Sequence, residues 1–196
     1  MIFFLVLFFS QELRPHLSDP QPLAAAGATV ENDSVYYRGS GWTCRIKPVS
    51  SLELYRELGR NGVDAVVLER QDIKSLLLTA LVFLVELQNS GPEDLAWNQD
   101  RTQLLASKIP VGMQLRMMDF WPPGHSGQNP ALERLARLFS KTTLTVPAGT
   151  SRKGLVVFRP LGKRFPKRVH IRLDHLFYGY QSHTLECRFD VRYPKP

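Results

Sequence analysis

Three histidines and one cysteine near the C-terminus are the residues whose types and spacing could do metal or nucleophilic chemistry. His170, His175, His183 and Cys187 follow the spacing H-x4-H-x7-H-x3-C, and imidazole and thiolate are common ligands of zinc. The surrounding alternation, however, directs His170 outward and Cys187 into the core, with His175 and His183 on either side of a turn. Because metal ligands must converge and an inward thiol has a raised pKa and little access, we predict no metal site and no cysteine nucleophile here.

The motifs of other catalytic sites are missing from the sequence. It contains no phosphate-binding glycine loop, no Gly-x-Ser-x-Gly elbow and no Cys-x-x-Cys pair. We therefore predict a protein that is not an enzyme, has no cofactor and takes no small-molecule substrate. A small hydrolase that uses the late histidines is the enzymatic alternative.

The positive charge of the chain is concentrated near its C-terminus. Residues 141–196 carry 12 Lys and Arg against three acids, a net charge of +9, whereas residues 1–140 have a net charge of −2. Such asymmetry favours nucleic acid, an acidic membrane face or an acidic partner; the alternative is a solvated surface that keeps the protein soluble. The residues predicted to bind a polyanion, on one edge of the sheet, are Arg152, Lys153, Arg159, Lys163, Arg164, Lys167, Arg168 and Arg172.

Nothing near these cations predicts recognition of bases. The outward positions of the predicted strands are charged rather than aromatic, and no helix has the character of a base-reading helix. Binding to nucleic acid should then be directed at phosphates and independent of sequence. An anionic lipid leaflet would suit the same cations.

A proline-stiffened aromatic loop is the second candidate site. Phe120 and Trp121 precede Pro122-Pro123-Gly124, and an exposed Trp on a rigid loop could dip into a membrane interface or dock on a partner. The alternative is that both rings fold back onto the core.

The two cysteines are too few for a disulfide framework. Cys44 and Cys187 each occupy an apolar position of an alternating pattern, so we interpret both as small core residues. Free buried thiols suit a reducing compartment, which predicts an intracellular protein of the cytoplasm or nucleus, with membrane association left open.

The first half of the chain predicts a strand followed by helices. Alternation over Trp42–Lys47 is typical of a half-buried strand, and Ser50 with Glu53 forms a capping box for a short helix, 51–58. The apolar run within Ile73–Gln88 predicts the longest helix, buried at the centre of the core. A polar helix is predicted over Leu95–Ser107.

The second half predicts mainly strands. Val111–Met117 alternates as a strand, and Asn129 with Pro130 begins a helix over Ala131–Phe139. Two strands, around Val169–Leu173 and Leu185–Tyr193, follow an apolar run and fit an antiparallel meander. The inward residues of the last strand are Leu185, Cys187, Phe189, Val191 and Tyr193.

Together these elements predict an α+β fold, with an antiparallel sheet of about five strands packed on a central apolar helix and two or three shorter helices. We predict a single domain over residues 30–196. Residues 1–29 are interpreted as an apolar N-terminus (Met1–Phe9) and a Pro-rich linker, disordered or docking, and dispensable for folding. The apolar run is either a short membrane anchor or a non-functional extension.

The C-terminal strands resemble those of the matrix proteins of rhabdoviruses. The resemblance rests on Val146-Pro147, the basic segment Lys163-Arg164-Phe165-Pro166-Lys167-Arg168, Gly179, and the strand with Thr184, Glu186 and Tyr193. The upstream order of strand, short helix and apolar helix is similar. The chain departs from that family in its apolar N-terminus and in the lack of a Tyr after Pro122-Pro123. The resemblance implies a self-associating structural protein of the virion that bridges nucleocapsid and membrane.

Our first hypothesis is thus a non-enzymatic, basic structural or adaptor protein of matrix type. It would attach to an RNA–protein complex, an anionic membrane face or both, and form homo-oligomers. The alternative is an RNA-binding regulatory protein, such as a viral silencing suppressor, that acts as a dimer.

Overall fold

Strands of one antiparallel sheet make up most of the structure. The computed structural model describes residues 15–23, 27–116, 119, 130–138 and 143–193. Its first seven elements are β1 (His16–Leu23), β2 (Ala28–Glu31), β3 (Ser34–Gly39), β4 (Trp42–Pro48) and helices α1 (Ser51–Arg60), α2 (Ala65–Leu68) and α3 (Gln71–Thr79). There follow β5 (Leu81–Asn89), β6 (Leu95–Asn98), a 3-10 turn (Gln99–Arg101), β7 (Thr102–Ala106) and β8 (Ile109–Gln114). The last are α4 (Pro130–Leu138), β9 (Thr143–Val146), β10 (Ser151–Pro160), β11 (Arg168–Tyr178) and β12 (Gln181–Arg192).

The sheet is nearly closed on itself. Its strand order is β1-β12-β11-β7-β8-β10-β5-β4-β3-β2, and β6 pairs with both β11 and β9. The two end strands, β1 and β2, are consecutive in the chain. A hydrogen bond spans the interior beside them, from the Tyr37 hydroxyl on β3 to the Glu186 carbonyl on β12, at 2.5 Å. The inner face of the sheet therefore encloses one core.

The predicted α+β fold with about five strands on a central helix is wrong. The described part of the chain forms twelve strands and four short helices, and the helices lie outside the sheet rather than at its centre. A second apolar cluster joins these helices to the outer face of β5 and β10, through Leu54, Leu58, Leu77, Val82, Leu135 and Val157. The sheet thus has a core on its inner face and a smaller one on part of its outer face.

The error arose mainly in Ile73–Gln88, which was predicted as one helix. α3 ends at Thr79, Ala80 has extended backbone, and Leu81 begins β5. On β5 the side chains of Leu81 and Phe83 enter the inner core, while Val82 enters the outer one. A strand buried on both faces has no polar alternation, and by periodicity alone it cannot be told from a buried helix.

The predicted polar helix over Leu95–Ser107 is also wrong. This segment forms β6, a 3-10 turn and β7. The core takes Leu95 and Trp97 from β6 and Leu104 from β7, so each strand is too short for its alternation to stand out. The polar residues between the strands belong to the turn, where Asn98 accepts a hydrogen bond from the Asp100 amide.

Several predicted elements are confirmed. β4 contains the predicted strand, with Trp42, Cys44 and Ile46 buried in alternation. α1 begins at Ser51 with the Ser50–Glu53 capping box. The helix predicted over Ala131–Phe139 is observed as α4, the strand predicted over Val111–Met117 overlaps β8, and β11 and β12 form the predicted hairpin.

Residues 16–23 of the segment predicted to be a linker form β1, which pairs with β12. The linker interpretation therefore does not hold for these residues. Leu17 lies opposite Val191 and is buried in the main core, and Pro20 and Pro22 lie on a strand at the end of the sheet, where proline is tolerated.

We expect Leu17→Ala to lower the free energy of unfolding by about 2–3 kcal/mol, at the lower end of the range for emptied core sites. The neighbouring Ser18→Ala, on the more exposed side of the strand, is the control and should change stability little. Urea unfolding of the two variants measures the difference. Equal stability of Leu17→Ala and the parent would show that β1 adds nothing to the core.

Cys44 and Cys187 are both free and fully buried, as predicted from their inward positions. Burial raises the pKa of each thiol. Burial likewise raises the pKa of Tyr37, whose hydroxyl is close to Cys187. The three groups are neutral at physiological pH and act as packing residues on the inner face of the sheet.

Candidate polyanion-binding surface

Two turns bring cations from different parts of the chain to one end of the sheet. On β11, His170 lies opposite Leu105 of β7, so the β7–β8 turn adjoins the start of β11. The β10–β11 turn reaches the same place, because the Leu161 amide donates to the Val111 carbonyl of β8 at 3.0 Å. We call this the basic end, and its cations are Lys108, Arg159, Lys163, Arg164, Lys167 and Arg168.

Most of these charges are not neutralised by neighbours. Within the described ranges, Lys108, Lys163 and Lys167 are exposed and have no carboxylate within ion-pair distance. Arg164 lies over the Tyr193 ring, 5.2 Å from its centroid. Arg168 alone has an acidic partner, Asp190, at 3.4 Å. Exposed lysines with no counter-charge raise the local potential, which attracts polyanions.

The β10–β11 turn is held in place by the core. Phe165 is buried, and its amide donates to the Tyr193 hydroxyl at 2.7 Å. The Val191 amide donates to the Lys167 carbonyl at 2.8 Å. Partial burial raises the pKa of Tyr193, against the opposing effects of the Phe165 amide and Arg164. The lysines therefore extend from a fixed backbone rather than from a loose loop.

The eight predicted polyanion-binding residues do not form one patch. β10 runs away from the basic end, so Arg152 and Lys153 lie at its other end, opposite Leu87 and Glu86 of β5. Arg159 is six positions after Lys153, a distance of roughly 20 Å along an extended strand. Arg152 and Lys153 therefore cannot share a compact ligand with the β10–β11 turn.

Besides Arg168, two further predicted cations, Lys153 and Arg172, are already paired with acids. Lys153 lies 2.8 Å from Glu86, which also binds Arg45 at 3.0 Å. Burial alone would raise the pKa of Glu86, but the hydrogen bonds from Lys153 and Arg45 outweigh it and lower the pKa. Arg172 binds Asp174 at 2.9 Å on the outer face of β11. These contacts belong to charged pairs on the sheet surface, where each contributes little to stability.

Lys108 was missed by the sequence analysis. It lies in the two-residue turn between β7 and β8, where Ser107 and Lys108 both have positive φ, at 49° and 71°. This geometry is that of a tight hairpin. The signal available was the short apolar run on each side of Ser107-Lys108, which the prediction of a helix over Leu95–Ser107 concealed.

The late histidines are separated in the structure as predicted from the alternation. His170 is on the outer face, with Nδ1 3.2 Å from Glu186, whereas the His183 ring packs on Trp42 with centroids 5.1 Å apart. His175 is exposed at an irregularity of β11, with φ of 58°. In the described ranges no three His, Cys, Asp or Glu residues are grouped to hold a metal ion.

A cleft near the start of β1 has a volume of about 440 Å3. Its polar wall includes Lys47, Ser50 and Glu53. Lys47 lies 2.5 Å from Glu53, which also completes the cap of α1, and the hydrogen bond from Lys47 lowers the pKa of Glu53. These groups are engaged in structural contacts with one another.

Phe120 and Trp121, predicted as a membrane or partner loop, lie outside the described residues. Within the described ranges, no helix has the length and apolar character needed to cross a bilayer. Comparison with models of protein families and with curated proteins finds no match for this chain.

Proposed function

We propose that this protein is a non-enzymatic structural or adaptor protein that binds phosphate-bearing polyanions through its basic end. The observation that carries the proposal is the convergence of two turns, far apart in sequence, that place unpaired lysines together. Backbone contacts hold the β10–β11 turn in place, so little backbone conformational entropy is lost when its cations bind.

Attachment of matrix type and self-association, which the resemblance to rhabdovirus matrix proteins implies, remain parts of this proposal. So does an intracellular location, which the free buried thiols favour. The positive charge of these cations would attract a nucleoprotein and an anionic membrane face equally. In either case binding releases counterions and weakens as salt rises.

The test replaces four basic-end cations that have no acidic partner by glutamine: Lys108, Lys163, Arg164 and Lys167. At about 1 kcal/mol for each cation near an anionic surface, affinity for phosphatidylserine vesicles should fall on the order of a hundredfold or more. The salt dependence of RNA binding should flatten, because fewer counterions are released. Flotation and fluorescence anisotropy across a salt series measure the two effects.

A matched control removes four exposed arginines elsewhere, Arg56, Arg60, Arg101 and Arg152, also by glutamine. It changes net charge equally and should weaken binding far less. If both quadruple variants lose affinity to the same extent, binding depends on overall charge. If neither does, the basic end is only a solvated surface and the proposal is wrong.

A further inference from the structure

Exposed aliphatic side chains accompany the cations of the basic end. Ile109, Leu161 and Met113 are 67%, 58% and 38% exposed, and they are three of the seven large apolar residues exposed in the described part of the chain. All three lie on β8 or on the β10–β11 turn that adjoins it. Apolar side chains concentrated at one place on a surface indicate an interaction site.

Pairing of β8 with β10 places these side chains among the cations. Met113 lies opposite Arg159, whose guanidinium is 3.7 Å from the Met113 sulfur. Leu161, two residues further along, is hydrogen-bonded beside β8. Lys108 directly precedes Ile109 in the chain. Exposed apolar side chains and basic side chains therefore alternate over a short distance.

We infer that the polyanion bound by the basic end is an anionic lipid surface, into which Ile109, Met113 and Leu161 insert while the lysines bind headgroup phosphates. This inference rests on the proposed function and specifies its partner. The charge of the three unpaired lysines complements an anionic leaflet. Leu161 lies in the β10–β11 turn, Ile109 directly follows the β7–β8 turn and Met113 lies further along β8, so the membrane would contact the basic end and the adjoining part of β8.

The aliphatic side chains favour a membrane over RNA. Phosphates of RNA attract the lysines but form no favourable contact with the apolar side chains of Ile109 and Leu161. Proteins that bind bases present aromatic rings for stacking, not aliphatic side chains. A lipid interface instead takes up exposed CH2 and CH3 groups, each stabilised by about 0.8 kcal/mol when fully buried. Lysine stems also suit the interface, since their charged ends remain at the headgroups.

The decisive variant keeps every cation and replaces Ile109, Met113 and Leu161 by serine. We expect it to bind vesicles of phosphatidylcholine and phosphatidylserine on the order of tenfold or more weakly, while its binding to single-stranded RNA is unchanged. The control replaces Val66 and Val30, exposed apolar residues of α2 and β2, by serine and should bind vesicles as the parent does. Thermal midpoints verify that all variants fold.

A fluorescent label tests insertion directly, because the native thiols of Cys44 and Cys187 are fully buried. An environment-sensitive dye on Leu161→Cys should shift to the blue when vesicles are added. The same dye on Tyr180→Cys, in the β11–β12 turn at the opposite end of the sheet, should not shift.

The outcomes separate this inference from the proposed function. If the serine variant binds vesicles as the parent does while the glutamine variant of the lysines does not, insertion is wrong and polyanion binding stands. Binding of the parent to RNA but not to vesicles would also overturn the inference alone. A serine variant that keeps vesicle affinity but loses self-association would assign the aliphatic side chains to contacts between copies of the chain. If no variant loses affinity for vesicles or for RNA, both the inference and the proposed function are wrong.

Discussion

Replacing Phe83 by alanine should lower the free energy of unfolding by about 3–5 kcal/mol, the range for a large aromatic side chain removed from a core. Phe83 is fully buried on β5. Its ring lies 5.5 Å from that of Phe189 and 6.2 Å from that of Phe158, between centroids. The substitution therefore removes contacts among β5, β10 and β12 at once, and the nearly closed sheet leaves the cavity little room to collapse.

Urea unfolding measures this loss, and Gln88→Ala is the matched control. Gln88 lies on the same strand but is exposed, so its replacement should change stability by less than about 0.5 kcal/mol. A loss of only 1 kcal/mol or so at Phe83 would contradict a tightly packed inner core.

Replacing Leu77 by alanine should cost about 2–5 kcal/mol, the usual range for a buried leucine. Leu77 is on α3 and is only 1% exposed, within the apolar cluster that covers the outer face of the sheet. Its partners in that cluster include Leu54 of α1 and Val82 of β5. The result measures how firmly the helices are bound to the sheet.

Val66→Ala is the control for this experiment, since Val66 is on α2 and 74% exposed. Its change in stability should be near zero. If Leu77→Ala unfolds at the same urea concentration as the parent, the helices contribute little to the stability of the domain. Hydrogen exchange of the α3 amides would then show opening of α3 without global unfolding.

Charge in the sequence identified part of the basic end but not its extent. The segment Lys163–Arg168 was identified as basic from composition, and five of the eight predicted cations do lie at the basic end. Arg152 and Lys153 were assigned to the same edge of the sheet because they lie on a neighbouring connection. An extended strand carries its two ends far apart, so proximity along β10 did not mean proximity in space.

Lys108 shows the opposite case. It is more than fifty residues from Lys163 in the chain, and only the pairing of β7 with β11 and of β8 with β10 brings the two turns together. Long-range strand pairing leaves no trace in a local pattern of polar and apolar residues. For the same reason, the sequence did not predict that Ile109, Met113 and Leu161 lie beside these cations.

The sequence by itself determined those elements in which a local signal has one meaning. Alternation placed Cys44 and Cys187 on inward faces, and the Ser50–Glu53 pair capped α1, because a side chain and a backbone amide three residues apart interact without help from the rest of the chain. Only the tertiary structure decided that residues 81–89 are a strand. Over residues 81–85 both faces are covered, one by the inner core and the other by the helices, and five consecutive apolar side chains erase the period that distinguishes strand from helix.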